Sequence, residues 1–156
     1  MQEMRRKDRE IPEDAALAIV DKCAYAVMAT VNADGTPYCV PLSPAREGEW
    51  IYFHCAKAGG HKINNLRRQS RVCVSCVGIA KPIPGMFSLE YESAIINGTA
   101  TEITDRQEMI HALRLISRRY TPDNMPAFDG YVETHLDRTA VWKIHIDEIS
   151  GKARRA

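Results

Sequence analysis

The sequence predicts a mainly β fold, an antiparallel barrel with helices at its periphery, and three observations point there. Runs of β-branched and aromatic residues outnumber the helical stripes. They are joined by hairpin turn chemistry rather than by the regular strand–helix alternation of a parallel sheet. The length is that of one domain: 156 residues, 45% hydrophobic and 26% charged, too apolar for a disordered tail. Residues 1–156 are expected to form a single domain with a short basic arm at each end.

Pro12 suits a first helical turn, and Glu13 and Asp14 lie where the helix dipole favours carboxylates. Ala16, Leu17, Val20 and Ala24 follow at helical spacing, so a helix is expected over 12–22. From Tyr25 to Val31 the residues become β-branched and small, and Asn32-Ala33-Asp34-Gly35 supplies a turn before Tyr38-Cys39-Val40-Pro41-Leu42. This is a hairpin whose second strand must sit at an edge or bulge, because Pro37 and Pro41 lack N–H donors. Trp50 to Cys55 is a third strand. Ala58-Gly59-Gly60 then frees the backbone before a short helical segment, His61 to Arg68, with Ile63 and Leu66 inward. Val72 to Ile79 is a fourth strand, 81–85 a loop, and Leu89 to Ile103 a long strand bent or bulged at Gly98. Thr104 to Gln107 fits a capping box and predicts a helix over 105–120, with Met109, Leu113, Ile116 and Tyr120 at its spacing. Residues 121–136, rich in Pro and Asp, are expected to be a loop. In the last strand Ala140, Trp142, Ile144 and Ile146 alternate with Val141, Lys143, His145 and Asp147, which puts Trp142 in the core.

The formal net charge is +1, so no global field draws the chain onto nucleic acid or an anionic membrane. That neutrality is uneven. Residues 11–49 carry −4, 50–89 carry +6, 90–150 carry −5, and the terminal arms together carry +4. The window 50–89 contains no Asp or Glu, yet holds Lys57, Lys62, Arg67, Arg68, Arg71 and Lys81. The five cysteines are odd in number and irregularly spaced, the first ten residues are charged, and no apolar run nears the ~18 residues of a membrane span. A cytoplasmic protein is expected. Cys73 and Cys76 lie three apart on a strand and so point to opposite faces. His111, His135 and His145 lack ligand spacing, and no metal site is expected.

The chemistry concentrates in Phe53-His54-Cys55-Ala56-Lys57-Ala58-Gly59-Gly60-His61-Lys62. A phosphate wants closely approachable backbone N–H groups, the positive end of a helix, and a cation. Here glycines lead into a helix with Lys62 in its first turn. The residues alone leave a second reading open, in which Gly59-Gly60 is a flexible turn and the arginines are a solvated face. His54 and His61 are the candidate catalytic residues, because imidazole titrates near neutral pH and can donate a proton. His54 as an ordinary hydrogen-bonded strand residue is the competing reading.

Several segments taken in series resemble one family: 5–11, Asp34-Gly35-Thr36-Pro37-Tyr38 with Val40-Pro41-Leu42, Ile51-Tyr52-Phe53-His54, Gly60-His61-Lys62-Ile63, Tyr91-Glu92-Ser93 and Ser150-Gly151-Lys152. They are similar to the 5-nitroimidazole resistance (Nim) proteins of the wider pyridoxamine 5'-phosphate oxidase-like group, whose members share an FMN-binding split barrel. The resemblance implies a homodimer with FMN at the subunit interface and a small-molecule electron acceptor, nitro groups among the acceptors. It implies that Lys62 binds the FMN phosphate with the Gly60 and His61 backbone, and that Tyr38, Val40, Pro41 and Leu42 run beside the isoalloxazine. His54, Cys55 and Ala56 would lie against the ribityl chain and ring, with Ser93 near the site. Related families commonly carry Ser or Thr where Cys55 stands, so a hydroxyl contact is replaced by a weak thiol donor. Two alternatives accompany the oxidoreductase: a non-catalytic flavin-binding or sensing protein, and a haem-binding split barrel. No dinucleotide fingerprint names the electron donor.

Overall fold

The computed structural model describes residues 3–155. A two-residue strand β1 (Glu10–Ile11) precedes helix α1 (Glu13–Lys22), which buries Ala16, Ile19 and Val20. Ile19 completes the stripe in place of Ala24, which lies beyond the helix and is exposed. The expected hairpin is present as β2 (Ala26–Val31) and β3 (Pro37–Leu42). Its turn is closed by the Asn32 N–H donating to the Thr36 carbonyl at 2.8 Å, with Gly35 at φ +84°, a left-handed conformation that glycine adopts without strain.

A short strand β4 (Ala45–Glu47), passed over in the sequence, pairs with β5 (Trp50–Ala56). Helix α2 (His61–Arg68) buries Ile63 and Leu66 as expected, and Asn65 with them. Strands β6 (Arg71–Pro82) and β7 (Leu89–Ile103) form a long hairpin, so the fourth strand continues into the segment expected to be loop.

Helix α3 (Arg106–Tyr120) is capped by Asp105, whose carboxylate accepts from the Glu108 N–H at 2.8 Å. This corrects the expected Thr104–Gln107 box by one residue; a carboxylate one position later reaches the same kind of orphan donor. Residues 121–136 are not a loop. A 3₁₀ segment, Pro122–Ala127, leads into α4 (Phe128–His135), which buries Phe128 and Val132, with Leu136 just after it. Strand β8 (Thr139–Arg154) runs well past the expected end at Asp147.

The strands follow the order β3-β2-β6-β7-β8-β5-β4, with β1 paired to β8, and every pairing is antiparallel. β3 therefore lies at the edge that Pro37 and Pro41 require. The end strands β3 and β4 are unpaired with each other, yet only Ser43 and Pro44 separate them in sequence. Three Cα steps reach about 11 Å at most, so the sheet must curl until its ends meet. The result is a barrel with one open seam.

The interior is filled from both sides by alternation: Ile51 and Phe53 of β5, Val74 and Cys76 of β6, Ala94 and Ile96 of β7, Trp142 and Ile144 of β8, with α1 and α2 closing it. On the outer face of β5 and β8, α3 packs against Tyr52, Ile103 and Val141, and α4 packs against α3. Arg119 ties these layers together. Its guanidinium donates to the carbonyls of Val20 and Cys23 at the end of α1, 2.9 and 2.7 Å away, and to that of Pro44 at 2.8 Å. Cys76 is buried and Cys73 half-exposed on the opposite face, as the strand period requires. Among the described residues no helix is long and apolar enough to cross a membrane.

The expected irregularity at Gly98 is the point where the β7–β8 register shifts. A Cβ there would fall on the His145 carbonyl oxygen, well inside contact distance, and 2.6 Å from Ile144 Cγ2. Backbone oxygen cannot move aside without breaking the ladder. Gly98→Ala should therefore lower the unfolding free energy by about 1–3 kcal/mol, the usual penalty for overpacking, measured by urea denaturation.

Candidate functional site

At the start of α2 the chain passes through Gly59 at φ +89° and Gly60 at φ +141°, conformations that side chains disfavour. The space where either Cβ would stand is open, with no atom within 4 Å. The first turn carries no acidic residue and holds Lys62, which has no ion pair among the described residues. The donor set, exposed N–H groups at a helix N-terminus with a cation beside them, fits a phosphate monoester. Arg67 and Arg68 do not join it. Arg67 is paired with Glu102 at 3.1 Å, a carboxylate supplied from β7, and Arg68 is turned to the Val31 carbonyl.

A polar network fixes this helix start to the β2–β3 hairpin. The Asn65 amide, buried, donates to Thr30 Oγ1 at 3.0 Å and to Asn32 Oδ1 at 2.8 Å, while His61 Nε2 lies 2.7 Å from the same oxygen. An amide oxygen only accepts, so Nε2 must carry the proton and donate. The His61 ring stacks on Tyr38, with centroids 4.0 Å apart. Both ring face and Nε2 are thus committed to positioning.

Three residues expected together are separated by strand alternation. Cys55 packs against the barrel interior, while His54 faces outward toward α3 and α4, and Ala56 ends the strand, exposed. Burial pushes the Cys55 thiol pKa up, which keeps it protonated and unreactive. The His54 imidazole is held below its ordinary value, first by burial and second by the Lys62 charge, so His54 is neutral at pH 7. Along β3, Tyr38 and Val40 are half-buried, Leu42 buried and Pro41 exposed, with the strand's outer edge unpaired among the described residues. Ser93 is opposite Val77 and Lys152, one step past the Cys76–Ala26–Leu42 row. It stands at the Leu42 end of the hairpin, away from the Tyr38–His61 end.

Residues 12–153, from α1 into β8, match the sequence profile described as pyridoxamine 5'-phosphate oxidase. The chain belongs to the pyridoxamine 5'-phosphate oxidase family. Among solved structures, a candidate 5-nitroimidazole antibiotic resistance protein from Bacteroides thetaiotaomicron is similar at 28% identity and a TM-score of 0.77, over 92% of this chain and 85% of that one. An FAD- and haem-binding protein from Mycobacterium smegmatis shares the fold at 21% identity and a TM-score of 0.79, over 95% and 74%. A flavocytochrome from Azotobacter vinelandii does so at 23% and 0.73, over 99% and 73%. No curated protein matches. The barrel with its open seam is the split barrel of this pyridoxamine 5'-phosphate oxidase family.

Thr30 and Asn65 went unremarked in the sequence, and Asn32 was read only as a turn residue. The one available signal was an Asn directly before the inward Leu66 of an eight-residue helix, where a buried amide needs partners. Asn65→Leu should cost about 1–3 kcal/mol by leaving the Asn32 and Thr30 acceptors short of a donor, read from chemical denaturation. His54 should titrate below 6.5 by NMR, and Lys62→Met should move its pKa up by removing one of the two causes. Because the folded chain binds this proton less readily than the unfolded one, the His54 contribution to stability is complete above about pH 6.5 and is lost progressively below it.

Proposed function

We propose that this chain is an FMN-binding oxidoreductase that works as a homodimer and delivers electrons to a small-molecule acceptor, nitro groups included. One observation carries the reading: the Gly60-His61-Lys62 start of α2, open to a phosphate and lying beside the unpaired edge of β3. Lys62 and the backbone N–H groups behind it hold the phosphate end. The free main-chain groups of β3 between Tyr38 and Leu42 are available to a flat polar ring edge, which an internal strand would not offer. FMN, when bound, supplies the electron-transfer chemistry, and the protein positions and tunes it. Similarity to the Bacteroides candidate resistance protein supports nitro groups as acceptors, and the FAD- and haem-binding relatives support a flavin on this fold.

Dimerisation rests on a sheet face that no helix covers among the described residues. Val27, Ala29, Cys73, Ser75, Ser93 and Ile95 lie side by side on the outer face of β2, β6 and β7, small or apolar and half-buried. A face of that composition suits a second copy better than water. All five cysteines stand free, which suits a reducing cytoplasm.

His61 spends Nε2 on Asn32, and His54 faces α3 and α4 rather than the start of α2. That arrangement favours a second reading, in which the chain holds flavin without turnover. Purified protein should be yellow, and Lys62→Ala should weaken FMN binding at least tenfold by fluorescence quenching, about 1.4 kcal/mol, with an unchanged circular dichroism spectrum. Failure of excess FMN to bind would overturn the reading, and a Soret band competing with FMN would replace it with haem. NAD(P)H-driven turnover of a nitroaromatic in stopped flow separates the enzyme from the holder.

A further inference from the structure

Outside the phosphate site, the outward face of β5 and the α3–α4 pair enclose a cavity of about 110 Å³. Its polar groups are His54, Ser117, His135 and Thr139, and its aromatic wall is Phe128 with Tyr131. Because α4 is a helix rather than the loop expected, this wall is built rather than incidental: Tyr131 and His135 are one turn apart, their rings stacked at 4.0 Å and 9°. His135 Nδ1 lies 2.9 Å from the Tyr131 carbonyl and 2.6 Å from Thr134 Oγ1, and the Thr134 hydroxyl itself reaches the Gly130 and Tyr131 carbonyls. These contacts are satisfied together only when Nδ1 carries the proton, because a carbonyl oxygen accepts and never donates. In the neutral ring the remaining nitrogen, Nε2, is then an acceptor. The His54 imidazole, which also lines the cavity, has no side-chain hydrogen-bond partner among the described residues.

Size and charge narrow the occupant. A cavity near 150 Å³ lined by apolar groups admits benzene, and this one, at about 110 Å³, is smaller and suits a five-membered ring better than a fused pair. Lys62, close enough to act on the His54 imidazole, disfavours a cation, and the apolar walls contributed by Leu113, Ile116 and Val132 disfavour an unpaired anion. The Nε2 acceptor asks for a ligand that donates.

We propose that this cavity is a ligand site for an uncharged five-membered aromatic ring bearing one N–H donor, an azole, packed against Phe128 and the Tyr131–His135 pair and hydrogen-bonded to His135. The site is defined by α4 and β5 and does not depend on FMN occupying α2. A nitro group, which only accepts, does not satisfy it.

The test is NMR of the histidine ring protons in the full chain, without and with saturating FMN, titrated with pyrazole, 1-methylpyrazole and indazole. Pyrazole should shift the His54 and His135 resonances saturably, 1-methylpyrazole should bind at least tenfold more weakly, and indazole should not bind. His135→Phe, which keeps the stack and removes the acceptor, should abolish the preference for pyrazole over its methyl derivative. Val132→Phe, which fills the cavity, should abolish binding. If pyrazole moves neither resonance, if the methyl derivative binds equally well, or if His135→Phe leaves the preference intact, the proposal is overturned. Binding in the FMN-free chain separates this result from the fate of the flavin reading: a chain that rejects FMN can still pass, and one that binds FMN can still fail.

Discussion

The fold depends on a close approach between two backbones, at Gly98 and His145. With no side chain on β7 at that point, β8 lies directly against it and shifts register. A strand as long as Thr139–Arg154 can then serve several partners in turn: β5 along its first half, β7 along nearly all of it, and β1 at its end. Flat pairing over that length would give an open sheet. The bend instead brings β5, with β4 on its far edge, round toward β3 and leaves the seam between β3 and β4, which Ser43–Pro44 join in sequence. Both β3 and β5 matter for the site, since β3 offers its free edge there and β5 ends beside α2.

Strand alternation then distributes the chemistry. His54 and Cys55 are neighbours in sequence, yet one faces α3 and α4 and the other faces the core. The start of α2 is assembled differently, by side chains that bridge elements rather than by one motif. Asn65 and Asn32 join α2 to the hairpin, and Tyr38 lends His61 a ring to stack on. The helix N-terminus is thus fixed relative to the edge strand, which matters if one ligand is to touch both. Preorganisation of that kind lowers the ordering cost of binding.

Much of this was legible because local chemistry and global fold agree. Pro37 and Pro41 announced an edge strand, Gly98 a bulge, and Gly59-Gly60-His61-Lys62 a helix start. What was hidden depended on distant partners. Arg67 reads as unneutralised until β7 brings Glu102 beside it. Helix α4 was concealed by Pro122, Asp123 and Pro126, which belong to the 3₁₀ segment before it, while the i, i+4 spacing of Phe128 and Val132 supplied the stripe. β8 seemed to end at Asp147 because the bulge reverses the inside–outside alternation there, after which Ile149 and Gly151 face inward again. The cap moved from Thr104 to Asp105 because either side chain can serve and backbone geometry decides.

The central place of β8 also sets the order in which the molecule can assemble. The β6–β7 and β2–β3 hairpins form from neighbouring segments, but the β5–β8 ladder joins residues 50–56 to 139–145. On a ribosome, the strand that carries His54 therefore waits with one edge unpaired while nearly ninety further residues are made. Non-local closure of this kind is slow and leaves strand edges exposed to other chains. The N-terminal half, which contains β3 and the start of α2, cannot close into the barrel ahead of the C-terminal strand, and its vulnerability during synthesis is concentrated in that interval.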